Sequence, residues 1–360
     1  MTDKQNFNTS KAEQFANTLI DTLNKSALSF MISIGHRSAL FDTMADMSDA
    51  TSGEIADKAK LNERYVREWL GAMVTGGVIN YQPETKTYRL PAEHAAYLTR
   101  KAGADNIAVF TQYAAVMGEV EDEILECFKE GGGVPYSKFH RFHQVMAEDS
   151  GQSVLSSLES HILPLVPGLT EKLKAGIRML DVGCGSGRII NKLASIFPQS
   201  HFTGMDLSSE AIENANAEAN TSGLSNVEFI IKDLSDFHLT APVGQYDFIT
   251  TFDAIHDQGK PLHVLKGIYN ALKPDGIYLM QDISGTSHLE EDIKHPIGTF
   301  LYTISCMHCM TVSLAQNGEG LGAMWGEEKT KEYLRMAGFE SVKTNKLAHD
   351  IQNNWYEVKK

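Results

Sequence analysis

The stretch Met179-Leu-Asp-Val-Gly-Cys-Gly-Ser-Gly-Arg188 sets a short apolar run, an acid and three alternate glycines directly ahead of a helical pattern. It reads as strand, turn and helix, with the turn built to hold a nucleotide cofactor. Gly183, Gly185 and Gly187 put no side chain between the backbone and a ligand, and the helix that follows from Ile189 aims free N–H groups at the same spot. The spacing is G-x-G-x-G and departs from the G-x-G-x-x-G of dinucleotide binders, which leaves room for a cofactor without a pyrophosphate. Asp181, in the strand, is counted with the loop as cofactor-binding.

Reading outward, a helix over Ile189 to Ile196 precedes the run His201-Phe-Thr-Gly-Met205, a second strand ending in Asp206, nineteen residues past Gly187. An acid there can accept both ribose hydroxyls, with Leu207 beside it. A third strand, Val227 to Ile231, leads to Asp233-Leu234, where a carboxylate can accept from an adenine amino group and an apolar neighbour can pack on the ring. A fourth, Tyr246-Asp-Phe-Ile-Thr-Thr-Phe252, is followed by Asp253-Ala-Ile-His-Asp257, and Phe252 at its end joins the cofactor-binding set. Each strand delivers its polar residue at its carboxyl end, where open parallel sheets bind ligands.

Together these residues resemble the class I S-adenosylmethionine-dependent methyltransferases, over about half the chain, from roughly residue 168 to 360. The closing pattern fits the same group: a helix from Glu327 to Met336, a strand near Ser341 to Lys346 and a last strand near Trp355 to Val358. The resemblance implies an α/β fold with a Rossmann-like seven-stranded sheet whose last strand is antiparallel, and S-adenosylmethionine as cofactor.

Composition is compatible with this and narrows the acceptor. A chain of 360 residues with 42% hydrophobic content can bury two substantial cores. It carries 32 basic against 46 acidic residues, a net charge of −14, which repels a phosphate backbone, so nucleic acid is not an expected partner. No apolar run approaches the roughly 20 residues of a membrane span, and the polar start Met1-Thr-Asp-Lys-Gln-Asn is not a secretory signal. A cytoplasmic protein with no membrane contact is expected. Cys127, Cys184, Cys306 and Cys309 make no disulfide framework in so long a chain. Cys306-Met-His-Cys309 lacks a second ligand pair and lies in the apolar helical run Phe300 to Leu314, so no metal is expected either.

The first hundred residues read as a separate winged-helix domain. Helical runs at Phe15 to Leu23 and Leu28 to Ile34 precede a capped short helix, Ser52 to Lys60, a turn at Leu61-Asn62 and a second helix, Glu63 to Thr75, with Val66, Leu70 and Met73 on one face. Val78 to Tyr81 and Thr87 to Leu90 form the wing. Residues 1–100 carry 11 Lys+Arg against 12 Asp+Glu, and Arg64 and Arg67 are flanked by Glu63 and Glu68, which argues against a DNA-facing helix. The arrangement resembles two-domain small-molecule O-methyltransferases, in which such a module makes a homodimer and closes the substrate pocket. The competing reading is a regulator that senses S-adenosylmethionine and binds DNA through this module. Methylation of RNA or protein is a further rival; the acidic charge argues against RNA, and no peptide groove is recognisable.

Residues 101–167 read as a helical linker and lid, with a break at Gly131-Gly-Gly-Val-Pro-Tyr136 ahead of Phe139-His-Arg-Phe-His143. Tyr113, Phe139 and His143 are candidate substrate contacts. The base is expected at His256, since an imidazole with an unperturbed pKa of about 6.5 suits a hydroxyl or ammonium proton at neutral pH. In the O-methyltransferases the base sits in a His-Asp-Trp motif, and His256-Asp257 matches its first two residues, with Gln258 in place of the tryptophan. The same resemblance implies Asp282 and Glu328 as acids that orient it, Asp257 being less well placed to face the same ring. Asn317-Gly-Glu-Gly-Leu-Gly-Ala-Met-Trp325, taken with His308, Cys309 and Met310, resembles a less characterised bacterial and animal methyltransferase group, which names no acceptor. His308 and Trp325 complete the substrate candidates. The function expected is methyl transfer to a small-molecule acceptor through oxygen, nitrogen or sulfur.

Overall fold

A computed structural model describes residues 7–360; the start Met1-Thr-Asp-Lys-Gln-Asn, on which the absence of a secretory signal was read, lies outside the described residues. The chain divides into two compact units, one running to Ala115 and the other covering Val116–Lys360, so the 101–167 stretch is shared between them.

The first unit opens on a long helix, Thr9–Arg37, started by the Asn8 side chain accepting from the Lys11 N–H at 3.0 Å. The helix Ser52–Ala59 begins with a capping box in which Thr51 and Glu54 satisfy each other's backbone donors. Lys60 turns the chain with φ 57°, and Asn62 caps the helix Glu63–Thr75. Val66, Leu70 and Met73 are buried on its inner face, as their spacing requires, and Trp69 joins them. The Trp69 indole donates to the Met31 carbonyl at 2.8 Å and ties this helix to the first. Strands β1, Asn80–Gln82, and β2, Thr87–Arg89, pair antiparallel as the wing.

The second unit is built on seven strands: β3 (Arg178–Val182), β4 (His201–Asp206), β5 (Val227–Ile231), β6 (Tyr246–Phe252), β7 (Leu272–Ile283), β8 (Ser341–Asn345) and β9 (Asn353–Lys359). Their order is β5-β4-β3-β6-β7-β9-β8. β3 to β7 run parallel, and β9 lies antiparallel between β7 and β8. Strand period two explains the layering, because adjacent residues of one strand enter opposite cores. Met179, Phe248 and Leu279 pack on one face with Ile190, Phe202 and Trp355, while Leu180, Ile249 and Met280 pack on the other with Val264, Leu265 and Ile268. The chain leaves β3 toward β5 and returns through β6, so the crevice at the carboxyl ends of β3 and β6 is the switch point of the sheet.

β7 runs on to Ile283, with Asp282 as its next-to-last residue. The apolar run near residue 300 is helical throughout, but a single π-helical turn, Ser305–Cys309, interrupts the α-helical pieces Gly298–Ile304 and Met310–Ala315. Among the described residues, no helix is long and apolar enough to cross a membrane.

Candidate active site

The glycine loop follows β3 and gives way to the helix Arg188–Ile196, whose first N–H groups have no side-chain cap. Gly183, Gly185 and Gly187 all adopt positive φ, of 77°, 52° and 66°. Their reasons differ. A Cβ on Gly183 would stand 2.6 Å from the Ala254 Cβ, and one on Gly187 would stand 2.4 Å from the Phe229 ring, so both positions are close packed. A Cβ on Gly185 would meet nothing within 4 Å, so only this glycine faces open space.

The loop is pinned by backbone donors. Gly183 and Cys184 donate to the Met205 carbonyl at 2.8 and 3.0 Å, and the Gly185 N–H donates to Asp206 Oδ2 at 2.8 Å. The other carboxylate oxygen, Oδ1, accepts from the Ser208 N–H at 2.8 Å, and each oxygen keeps a second lone pair for a ligand. Behind the loop, Asp181 is buried and accepts from the Thr250 hydroxyl at 2.7 Å; burial pushes its carboxyl up to about 7. Burial also pushes the Cys184 thiol far above its ordinary range, which leaves it an inert packed side chain. Asp233 is exposed and holds the Ser235 N–H at 2.8 Å. Leu207 is exposed, whereas Leu234 is buried in the core with Phe237. Phe252 packs edge-on against Trp355.

At the tips of β6 and β7 a second group forms. His256 is buried, and its Nδ1 lies 2.7 Å from Asp282 Oδ1. That oxygen also accepts from the Trp325 indole N–H at 3.0 Å and from the Ile283 N–H at 2.9 Å. The Asp257 Oδ1 stands 3.2 Å from His256 Nε2, so Asp257 faces the ring after all, against the sequence expectation. The turn that carries both residues folds the adjacent carboxylate back over the imidazole. Burial works against the charged imidazole, but Asp282 and Asp257 outweigh it and hold the His256 pKa well above its usual value. Asp253, in the left-handed region at φ 49°, is driven well above the usual carboxyl range by burial and by Asp282.

A third group closes over the second. His308, within the π-helical turn, is fully buried and stacks on Phe142 with ring centroids 3.5 Å apart and planes 7° from parallel. Phe139 and Tyr136 stand edge-on to the same ring at 4.7 and 5.2 Å, and Tyr136 also packs on His143. Burial, with His256 and His143 adding to it, lowers the His308 pKa well below its ordinary value and keeps it neutral. The glycine break is what lets this segment dock. A Cβ on Gly133 would overlap the Thr311 carbonyl, and the Val134 N–H donates to the Thr311 hydroxyl at 2.7 Å.

Of the residues singled out in the sequence, His256, Asp282 and Trp325 therefore meet at one point, and Phe139, His143 and His308 form the adjoining wall. Glu328 does not join them. It is 74% exposed and pairs with His288 at 2.8 Å on the outer side of the helix Gly326–Ala337, while Trp325, just before that helix, reaches inward to Asp282. Tyr113 belongs to the first compact unit. Sequence reading missed Tyr136 and Phe142, which lay inside the quoted glycine–aromatic stretch, and it missed the proximity of Cys309 to His256 and Asp257. The π turn that brings Cys309 there has no sequence signature.

Comparison with known proteins agrees with both units. Residues 26–100 match the Rv2258c-like winged HTH domain, and residues 173–338 match a methyltransferase domain. A cycloartenol-C-24-methyltransferase of Oryza sativa subsp. japonica is 23% identical over 68% of this chain and 65% of its own length. The chain spans between about half and two thirds of the length of this and two further curated relatives, 65%, 52% and 47%. Among solved structures, human N-acetylserotonin methyltransferase in complex with SAM superposes with a TM-score of 0.66 at 19% identity, over 100% of this chain and 99% of that one. Mitomycin 7-O-methyltransferase does so with a TM-score of 0.70 at 16% identity, over 98% and 100%. These likenesses establish a shared fold. In this chain a stretch similar to the Rv2258c-like winged HTH domain is therefore followed by one similar to a methyltransferase domain.

Proposed function

We propose that this chain transfers a methyl group from S-adenosylmethionine to a small-molecule acceptor, with His256 as general base. The observation that carries it is the placement of two different devices at one end of one sheet. An open glycine loop with an acid beside it stands at the tips of β3 and β4, and a buried imidazole–carboxylate pair stands at the tips of β6 and β7.

The open face at Gly185 and the remaining lone pairs of Asp206 fit a nucleoside, with Asp206 accepting the ribose hydroxyls, Asp233 the adenine amino group, and Asp181 and Phe252 supporting the loop side. When bound, the cofactor supplies an electrophilic methyl carbon. The protein's share is position and proton handling. Asp282 holds His256 through Nδ1, and Nε2, which faces Asp257 Oδ1 at 3.2 Å, is the nitrogen that takes the acceptor proton, while Trp325 and the Ile283 N–H keep Asp282 in register. The Tyr136, Phe139, Phe142 and His308 wall excludes water from that proton transfer. Because Asp282 and Asp257 raise the pKa of the imidazole above that of an ordinary histidine, turnover of a hydroxyl acceptor rises with pH as His256 loses its proton.

We also infer a homodimer formed through the first unit and a reducing, intracellular setting. The long first helix leaves Phe15, Leu19, Leu23 and Phe30 exposed along one side, which supports self-association. The DNA-binding alternative is disfavoured, because Arg64 and Arg67 are paired with Glu68 and Glu63 on the helix that would have to meet phosphate. The test is incubation with methyl-labelled S-adenosylmethionine and a small-molecule extract, read by mass spectrometry. Label in small molecules that disappears with His256→Ala supports the reading; no transfer, together with salt-sensitive DNA retention, overturns it.

A further inference from the structure

We propose that His256, Asp257 and Cys309 also form a ligand set for a thiophilic divalent ion such as Zn2+, and that the ion, when bound, takes the base out of action. The imidazole nitrogen, a carboxylate oxygen and the sulfur all lie within 4.8 Å of one another. Two ligands each about 2.0 Å from a tetrahedral zinc ion stand about 3.3 Å apart. His256 Nε2 and Asp257 Oδ1 stand 3.2 Å apart.

The surroundings fit a ligand role. The Nδ1 of His256 is held by Asp282 at 2.7 Å, the carboxylate–histidine pairing that fixes the tautomer and presents Nε2 to a metal. With the proton on Nδ1, the Nε2 lone pair points at a carboxylate oxygen that has no hydrogen-bond partner among the described residues. Two such acceptors stay together only with a positive charge between them, and either a proton or a metal ion supplies it. A fourth donor stands close by. His308 is fully buried, has no hydrogen-bond partner on either ring nitrogen among the described residues, and holds Nδ1 3.8 Å from Asp257 Oδ2.

The donor chemistry selects the ion. Sulfur and imidazole with one carboxylate suit zinc or cobalt, not magnesium or calcium. Binding requires the Cys309 thiol to lose its proton and His256 to be neutral, so protons leave to solvent as the metal–sulfur and metal–nitrogen bonds form. The π turn supplies the geometry, since it is where the helix carries His308 and Cys309 side by side toward Asp257.

Cobalt titration of the full chain tests the ligand set without any turnover. One Co2+ per chain is expected, with the intense visible bands of a tetrahedral site and a near-ultraviolet thiolate charge-transfer band that added Zn2+ abolishes. Cys309→Ser should lose the charge-transfer band and bind at least tenfold more weakly, as should Asp257→Asn, while Cys306→Ser keeps the full spectrum; circular dichroism reports whether each variant folds. A spectrum without thiolate character in the folded wild type, or a band that survives Cys309→Ser, overturns the site. The inhibitory role rests on the proposed base. Full methyl transfer in protein saturated with zinc would overturn that role, whereas failure of every acceptor would count against the methyl-transfer reading and leave the spectra standing.

Discussion

The two ends of the crevice are made in different ways. At the tips of β3 and β4, the loop from Asp181 to Gly187 works through backbone: positive φ at three glycines, N–H groups of Gly183, Cys184 and Gly185 tied to Met205 and Asp206, and one carboxylate, Asp206, that holds the loop and still offers lone pairs. At the tips of β6 and β7, side chains from positions 257, 282 and 309 gather around the His256 imidazole, and Trp325 braces Asp282. The first device is local and open; the second is assembled from distant segments and buried. Binding a cofactor needs a shape that the backbone can hold by itself, whereas moving a proton needs charges placed against each other in a dry setting, and only tertiary packing provides that.

That contrast can be broken most sharply at His256. With a hydroxyl acceptor, His256→Ala is expected to lower kcat by about 10²- to 10⁴-fold while cofactor affinity, measured by calorimetry, stays within about twofold of wild type. If affinity falls together with kcat, the two ends are not separable. Next in size is a stability effect at Asp181. Its folded pKa is raised to about 7, so its contribution is fully present below about pH 4 and is lost as pH rises toward 7, at about 1.4 kcal/mol per unit. Asp181→Asn keeps an acceptor for the Thr250 hydroxyl and should remove that slope. Urea unfolding of both proteins from pH 4.5 to 8 measures the difference.

A smaller effect belongs to Asp206. Removing a charged acceptor costs about 1.5–3 kcal/mol, so Asp206→Ala should weaken cofactor binding by roughly 10- to 150-fold. Single-turnover kcat at saturating cofactor should be nearly unchanged; a large loss there would show that the loop also positions the reaction. The smallest change is expected from Trp325→Phe, which deletes one hydrogen bond to Asp282 at about 0.5–1.5 kcal/mol. Its signature is a displaced pH profile. Asp282→Asn, which removes a carboxylate that raises the His256 pKa, should move the rising limb to lower pH, and Trp325→Phe should move it less.

Legibility in the sequence follows the same division. The strands from Arg178 to Phe252 fall where apolar runs and terminal acids put them; for the central β3 and β6 the reason is that a buried parallel strand must be nearly continuous in apolar residues, while β5 is an exposed edge strand. His256 and Asp282 were singled out, the latter only through resemblance. Glu328 shows the cost of that route, since a residue at the right place in a pattern still turns outward when the first turn of its helix faces solvent. Asp257 was set aside because neighbours in sequence seldom face one ring, yet the turn after β6 folds it over His256.

By itself the sequence determined the glycine loop and the helices and wing of the first unit, which rest on short-range pattern and backbone preference, while the reversed last strand was legible through resemblance. Only the tertiary structure decided the chemistry at the tips of β6 and β7, including which acid meets which nitrogen of His256, that Trp325 braces Asp282, and that a π turn sets Cys309 and His308 beside Asp257. The physical reason is range. A glycine's φ is written in one residue, but the charge state of a buried imidazole depends on groups that are neighbours only after β7 and the helical run near residue 300 have packed against it.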